Sequence, residues 1–345
     1  MQRFKHGGDI YEKSGINLDF SININPLGMP DGVKEAVIQD IDSYSRYPDP
    51  HCRNLRKALA EHHKIKNDQI LCGNGAADCI FRICAAKKPN KVLVLAPTFS
   101  EYERPVQLFG GRIFEYALDP QKDFLLSADF LEALTEDLDM VFLCNPNNPT
   151  GRLVPKGLME QIAKRCQARD ITLVIDECFL PLSSGTSMID QLESYSNLLI
   201  LRAFTKLYAM AGLRLGYLLG AAKNIQEIEA FGAEWSVSIP AQTAGISALS
   251  LEPEWSDQTN HFILEERDWM IERLKGLGAK VYPSETNFIL LSHEVDLFEK
   301  LKEQGILVRN CANFTGLDES FIRIGLKTRK DNEKLIQKIG RIVHG

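Results

Sequence analysis

The sequence predicts an α/β fold: a large three-layer α/β/α domain with a mainly parallel sheet, plus a smaller α+β domain. Three observations carry this. Between residues 69 and 219 short apolar runs alternate with longer amphipathic ones. The apolar runs are continuous, as expected for strands covered on both faces. After about residue 233 the texture changes to long helical stretches mixed with short strand candidates.

The first 40 or so residues carry HGG, NINP and PLGMP turns and read as an extended arm with one helix. QILC at 69–72 is a strand that leads through a glycine turn into a helical stretch. KVLVLA at 91–96 is a β-branched run stopped by Pro97. MVFLC at 140–144 ends at NPNNPTG, residues 158–169 read as a helix, and TLVID at 172–176 as a strand. LLIL at 198–201 and LRLGYLL at 213–219 follow as strands. Beyond them, residues 239–249 and 258–277 are helical, the second closed by Gly278. Strand candidates at 280–282, 287–291 and 321–326 then alternate with helices near 295–304 and 330–343. The expected division is 1–40, arm and helix belonging with the small domain; 41–235, large domain; 236–345, small C-terminal domain. There is no internal repeat and no low-complexity linker.

At 345 residues and 44% hydrophobic, the chain can bury a large core. The net charge is −6 and both signs are spread along the chain, which argues against nucleic-acid and membrane-surface partners. An anionic substrate must therefore be met by local arginines. Eight cysteines, at 52, 72, 79, 84, 144, 166, 178 and 311, include no CxxC pair and several sit in apolar runs. They are expected to be reduced, buried hydrophobes, and no metal site is expected. The first 13 residues lack the apolar core of a signal peptide, and no run reaches the ~20 apolar residues of a membrane span. A cytoplasmic enzyme is the expected class.

In open α/β sheets ligands sit at the carboxyl ends of the strands, and the unusual residues fall there. Gly73-Asn74-Gly75-Ala76-Ala77 follows a strand and opens a helix, where small residues let backbone N–H groups approach a phosphate. It is neither a dinucleotide fingerprint nor a P-loop, and an ordinary strand-to-helix turn explains it equally well. Asn145-Pro146-Asn147-Asn148-Pro149-Thr150-Gly151 fixes asparagine side chains in a defined loop. Asp176, ending TLVID, needs a partner: a helix cap, or the protonated ring nitrogen of a cofactor. Lys206 emerges from an apolar run, where lost hydration frees an amine as a nucleophile, and Arg214 eight residues later offers a fork suited to a phosphate. A lysine and an arginine on a surface helix are the plainer alternative.

Together GNGAAD, NPNNPTG, DE, and TK followed by AGLRLGY resemble the fold-type I pyridoxal-phosphate enzymes, specifically the class I/II aminotransferases, over essentially the whole chain. The resemblance implies the aspartate aminotransferase-like fold and pyridoxal 5′-phosphate as cofactor. Within the family, HGGDIY followed by LDFSININPLG is most similar to threonine-phosphate decarboxylases, and histidinol-phosphate aminotransferases come next.

The resemblance also implies residue roles. Lys206 holds the cofactor covalently and later carries a proton. Asp176 pairs with the pyridine nitrogen, Asn148 reaches the ring hydroxyl, and Phe99 stacks on the ring. The Gly75-Ala76-Ala77 backbone, Thr205 and Arg214 hold the cofactor phosphate. Tyr47 matches a tyrosine that reaches the neighbouring subunit's cofactor, implying a homodimer with shared sites. Arg323 grips the α-carboxylate and Arg309 the substrate phosphate. His6, Gly7 and Asn23 match further substrate contacts, and Asn148 also faces substrate. Two departures stand out. Phe179 occupies a position where many aminotransferases carry tyrosine, and Ala203 one where relatives carry a hydroxyl.

Which bond at the substrate Cα breaks depends on which stands perpendicular to the cofactor ring. The groups that hold the two anionic ends therefore choose the reaction. The implied reaction is decarboxylation of O-phospho-L-threonine, a step supplying the cobalamin side chain. A phosphoserine substrate differs by one methyl, worth only ~1–3 kcal/mol in a pocket. Histidinol-phosphate transamination is the alternative, and a non-catalytic cofactor-sensing module is the alternative of another class.

Overall fold

A computed structural model describes residues 7, 8 and 15–345. The arm contributes a two-residue strand, β1 (Leu18–Asp19). The large sheet is built from β2 (Ile70–Gly73), β3 (Lys91–Ala96), β4 (Arg112–Ala117), β5 (Met140–Cys144), β6 (Thr172–Asp176), β7 (Leu198–Ala203) and β8 (Gly216–Gly220). Their spatial order is β2-β8-β7-β6-β5-β3-β4. The pairs from β4 through β7 are parallel, whereas β8 runs antiparallel to both β7 and β2.

The strand side chains alternate between two separate cores. Val141, Leu143, Leu173, Ile175, Leu198 and Ile200 belong to one cluster. Met140, Phe142, Val174, Leu199 and Leu201 belong to the other. One face is covered by helices Ala76–Lys87 and Ala222–Glu229, through Ile80, Ile83, Ile225 and Ile228. The other is covered by Arg53–His63 and Lys156–Ala168, and that core continues into the second sheet. Two covered faces make three layers, which explains why the strands read as unbroken apolar runs.

The smaller sheet has the order β12-β13-β10-β9, from β9 (Lys280–Val281), β10 (Phe288–Ser292), β12 (Arg309–Asn310) and β13 (Phe321–Gly325), all antiparallel. The arm joins this half of the chain: β1 pairs in parallel with β11 (Ile306–Leu307). Helix Asp31–Gln39 packs against Ile239–Ser250, and helix Glu254–Gly276 against the last helix, Arg329–His344.

Most expected elements are present, with shifts of a few residues at their ends. Two differences have clear causes. The expected strand at 213–219 starts only at Gly216, because 211–213 is a 3-10 turn and Arg214 is left-handed, with φ 56°. The edge strand β4, RIFEYA, lay outside the reading above, because it has one neighbour, is largely exposed and shows no apolar run. All eight cysteines are free and buried, as expected. Among the described residues no helix is long and apolar enough to cross a membrane.

Candidate active site

The sheet order collects the predicted residues along one edge. Cys144 and Asp176 are cross-strand neighbours, and the N–H of Asn145 donates to the Asp176 carbonyl at 2.9 Å. Ala203, the last residue of β7, stands opposite Gly216, and Gly216 stands opposite Gly73. The ends of β2, β5, β6 and β7 and the start of antiparallel β8 therefore lie side by side. That reversal of β8 places Arg214, just before it, beside Gly75.

At Gly75 and Ala76 the backbone forms a cradle. Gly75 is the N-cap of helix Ala76–Lys87, has φ 81° and makes no side-chain cap. A Cβ on Gly75 would stand 2.5 Å from Arg214 Nη2, and one on Gly216 would stand 2.5 Å from the Ala76 nitrogen. A helix N-terminus with no side-chain cap, set under a guanidinium and free of a Cβ at Gly75 and Gly216, suits a phosphate. Thr205 sits one residue before Lys206 in the turn that leaves β7, half-buried.

Next along the edge is Asp176, 4% exposed. Its Oδ1 accepts from the Cys178 N–H at 3.0 Å and its Oδ2 accepts from the Tyr102 hydroxyl at 2.7 Å. Tyr102 stacks on Phe142 at 4.8 Å, and Phe99 meets Tyr102 edge-on at 5.5 Å. Burial, then the charge of Asp176, push the Tyr102 phenol well up, so it stays a donor. The reading from sequence missed Tyr102. The signal was present: it follows Phe99 by three residues in FSEY, one turn of a short helix. Glu177, the second residue of the DE motif, has a different job. It is fully buried and pairs with Arg202 at 2.8 Å, while Ser187 donates to it at 2.6 Å.

Lys206 lies in the turn after β7, its Nζ 5.1 Å from the centre of the Phe179 ring. Its pKa is lowered from 10.5 to about 8. Desolvation is the largest cause, the charge of Arg323 the next, and Arg214 adds to it, whereas Cys178 and Asp176 pull the other way. Lys206 thus feels Asp176, Arg214 and Arg323 together. An amine poised near neutrality is what a covalent carrier and proton relay needs.

The residues expected to meet substrate come from the small sheet and the arm. Arg323 Nη1 donates to Asn148 Oδ1, and Nη2 donates to the Ser21 carbonyl at 2.7 Å. Its Nε is buried without a partner, and desolvation lowers its pKa to about 10. Arg309 is the direct cross-strand neighbour of Arg323. It donates to the Asn310 carbonyl and, at 2.7 Å, to Asn313 Oδ1. Asn23 is buried with its Oδ1 unpartnered, and so is Nδ2 of Asn287, a residue the sequence reading passed over. Gly8 donates to Ser21 Oγ at 2.8 Å, and a Cβ on Gly7 would collide with the Ser21 carbonyl at 2.2 Å. The arm thus lies on the residue that holds Arg323. His6 lies outside the described residues. Tyr47 stands apart, 80% exposed, its ring 5.1 Å from that of Trp235.

The family model described as Aminotransferase class I and II matches residues 16–339. The chain belongs to that family. It is 38% identical over 353 residues to the threonine-phosphate decarboxylase of Salmonella typhimurium, covering 99% of this chain and 97% of the relative. It is 30% identical over 344 residues to a histidinol-phosphate aminotransferase of Methanosphaera stadtmanae, covering 97% and 92%. Among solved structures, the histidinol-phosphate aminotransferase from Clostridium acetobutylicum superposes with a TM-score of 0.88 at 30% identity, over 95% of this chain and 99% of that one. The fold is the aspartate aminotransferase-like one, and pyridoxal phosphate is the family's cofactor. The residues fit it: the cradle at Gly75, Ala76 and Arg214 would take the phosphate, Asp176 the ring nitrogen, and Lys206 the aldehyde carbon.

Proposed function

We propose that this chain decarboxylates O-phospho-L-threonine to (R)-1-aminopropan-2-yl phosphate. The observation that carries the reading is the cross-strand pair Arg309–Arg323. Like charges directly opposite on neighbouring strands repel. Here both are also desolvated, which lowers both pKa values. Such a pair is stable chiefly with an anion on it, and a substrate bearing a carboxylate and a phosphate brings one for each. Whole-length similarity to a threonine-phosphate decarboxylase, at 38%, supports the same substrate.

When bound, the cofactor supplies the conjugated electron sink that accepts the pair released at Cα. The chain does the rest. Arg323, steadied by Asn148 and Ser21, holds the α-carboxylate. Arg309, with Asn23 and the arm, holds the phosphate. The two anchors set the rotation about the substrate's N–Cα axis, so that the Cα–carboxylate bond is the one that breaks. Carbon dioxide leaves and Cα takes a proton, for which Lys206 Nζ, with its lowered pKa, is the donor at hand. Phe179 places no hydroxyl beside Lys206, where an aromatic face meets the amine instead.

The protein is proposed to act as a homodimer with shared sites. Tyr47 and Ile41, 62% exposed, are apolar side chains left open on one segment, which suits a second copy better than solvent. The second reading, histidinol-phosphate aminotransferase, is favoured by relatives of that name at 30–32% identity. One experiment separates them. Protein loaded with pyridoxal phosphate is incubated with O-phospho-L-threonine, with and without 2-oxoglutarate, and carbon dioxide and glutamate are followed together. Carbon dioxide without glutamate supports decarboxylation. Glutamate that depends on 2-oxoglutarate, without carbon dioxide, overturns it.

A further inference from the structure

A second cavity, of about 250 Å³, opens where helix Arg329–His344 meets β1 and β11. None of the described cofactor or substrate residues named above lines it. Lys334, Lys338 and Arg341 do, spaced i, i+4 and i+7 on one face of the helix. Only Lys334 is paired, with Asp331 at 3.0 Å. Among the described residues Lys338 and Arg341 have no ion-pair partner, and no carboxylate lines the cavity. Like charges at this spacing repel along a helix. In a chain with 46 acidic and 40 basic residues, a pocket whose described lining holds three cations and no acid stands out.

The rest of the lining adds to the fit. Gln337 and Asn17 supply amide donors, and Leu18 and Ile306 supply apolar wall. The volume lies below the roughly 300–1,000 Å³ of pockets for drug-sized ligands. We propose that this cavity is a second anion site, which takes a small phosphate monoester with a body of a few carbons. Its phosphate meets Lys338 and Arg341, and its carbons lie on Leu18 and Ile306.

The cavity sits at the root of the arm. The Gly305 carbonyl accepts from Asn17 at 2.8 Å and from Leu18 at 3.2 Å. Two residues after β1, Ser21 receives Gly8 and holds Arg323. A ligand that ties Asn17 to the last helix would brace the pairing of β1 with β11. The binding claim does not depend on which reaction the substrate site performs.

The test is calorimetry with glycerol 3-phosphate on the cofactor-loaded enzyme at low salt. In an Arg309→Gln background, where the substrate's own phosphate anchor is removed, one equivalent per chain is expected to bind. Adding Lys338→Gln and Arg341→Gln should weaken that binding at least about tenfold. Lys338→Arg with Arg341→Lys should retain it. In the wild-type background the two glutamine changes should lower the stoichiometry from two per chain to one. Binding lost with Arg309→Gln alone, or unmoved by Lys338→Gln with Arg341→Gln, would overturn the site. Citrate binding as tightly as glycerol 3-phosphate would overturn the assignment to a phosphate ester.

Discussion

The proposed phosphate cradle and the proposed substrate anchors would both hold anions, yet they are built in opposite ways. The cradle is made mostly of backbone, at Gly75 and Ala76, with one arginine eight residues from Lys206. The anchors are made of side chains from distant stretches: Arg323 bonds Asn148 across 175 positions and Ser21 across 302. A helix N-terminus offers fixed N–H groups and one shape, so it suits the invariant part of a cofactor. Arginines on a small sheet can be spaced differently without disturbing the cradle. They are therefore where a family with one cofactor can change its substrate.

Breaking each half should have different consequences. The largest effect is expected at the residue both halves share. Lys206→Ala should lower carbon dioxide release by at least about 10⁴-fold and shift the absorbance band of the loaded protein to that of the unlinked aldehyde. Arg323→Gln comes next. It should lower kcat/KM about 10²-fold or more while the cofactor stays bound, because Asn148 and the Ser21 carbonyl lose their donor. A comparable loss of cofactor in that variant would show that the two halves are not separable.

Gly75→Ala is the converse break. Its Cβ would meet Arg214 at 2.5 Å and force a left-handed alanine, so the affinity for pyridoxal phosphate should fall about tenfold. KM for substrate should change less, in a spectroscopic titration followed by a rate assay. Tyr102→Phe is milder. It removes one of the two bonds to Asp176, and should cost about 1 kcal/mol of stability and less than tenfold in cofactor affinity.

The smallest effect concerns pH. Lys206 titrates lower in the folded chain, about 8, than the 10.5 of an ordinary lysine. Between those values the unfolded chain binds more protons, so the cofactor-free protein should gain stability as pH rises from 8 to 10.5. Below pH 8 the penalty of the buried charge is fully present. Lys206→Met should therefore melt higher than wild type at pH 7, and the gap should narrow by pH 10. A gap that is constant with pH would mean that Lys206 is not desolvated.

Legibility followed the same division. Asp176, Asn148, Gly75 and Lys206 were readable because each stands at the end of an apolar strand or in the turn that follows it, where period, turn chemistry and residue type agree. Strands β3, β5 and β6 were read to the residue for the same reason. Strand β12 has two residues, so no periodicity could announce it, although Arg309 could be picked out by resemblance. Ser21 acts through partners far away in the chain, and Asn287 shows only a buried, unpartnered amide nitrogen, so nothing local distinguishes them from ordinary core polar groups. Tyr102 did carry a local signal, one turn after Phe99, but its partner Asp176 lies 74 positions away.

What the sequence by itself determined is the ordered set of strand ends and the chemistry placed on them, since burial pattern and turn residues are local properties. The family followed from them. Only the tertiary structure decided that β8 runs backwards to bring Arg214 over Gly75, that Arg309 and Arg323 stand directly opposite, and that the arm rests on Ser21. Those outcomes depend on strand order and register, which arise from packing two cores and an arm at once. No local stretch of the chain encodes them.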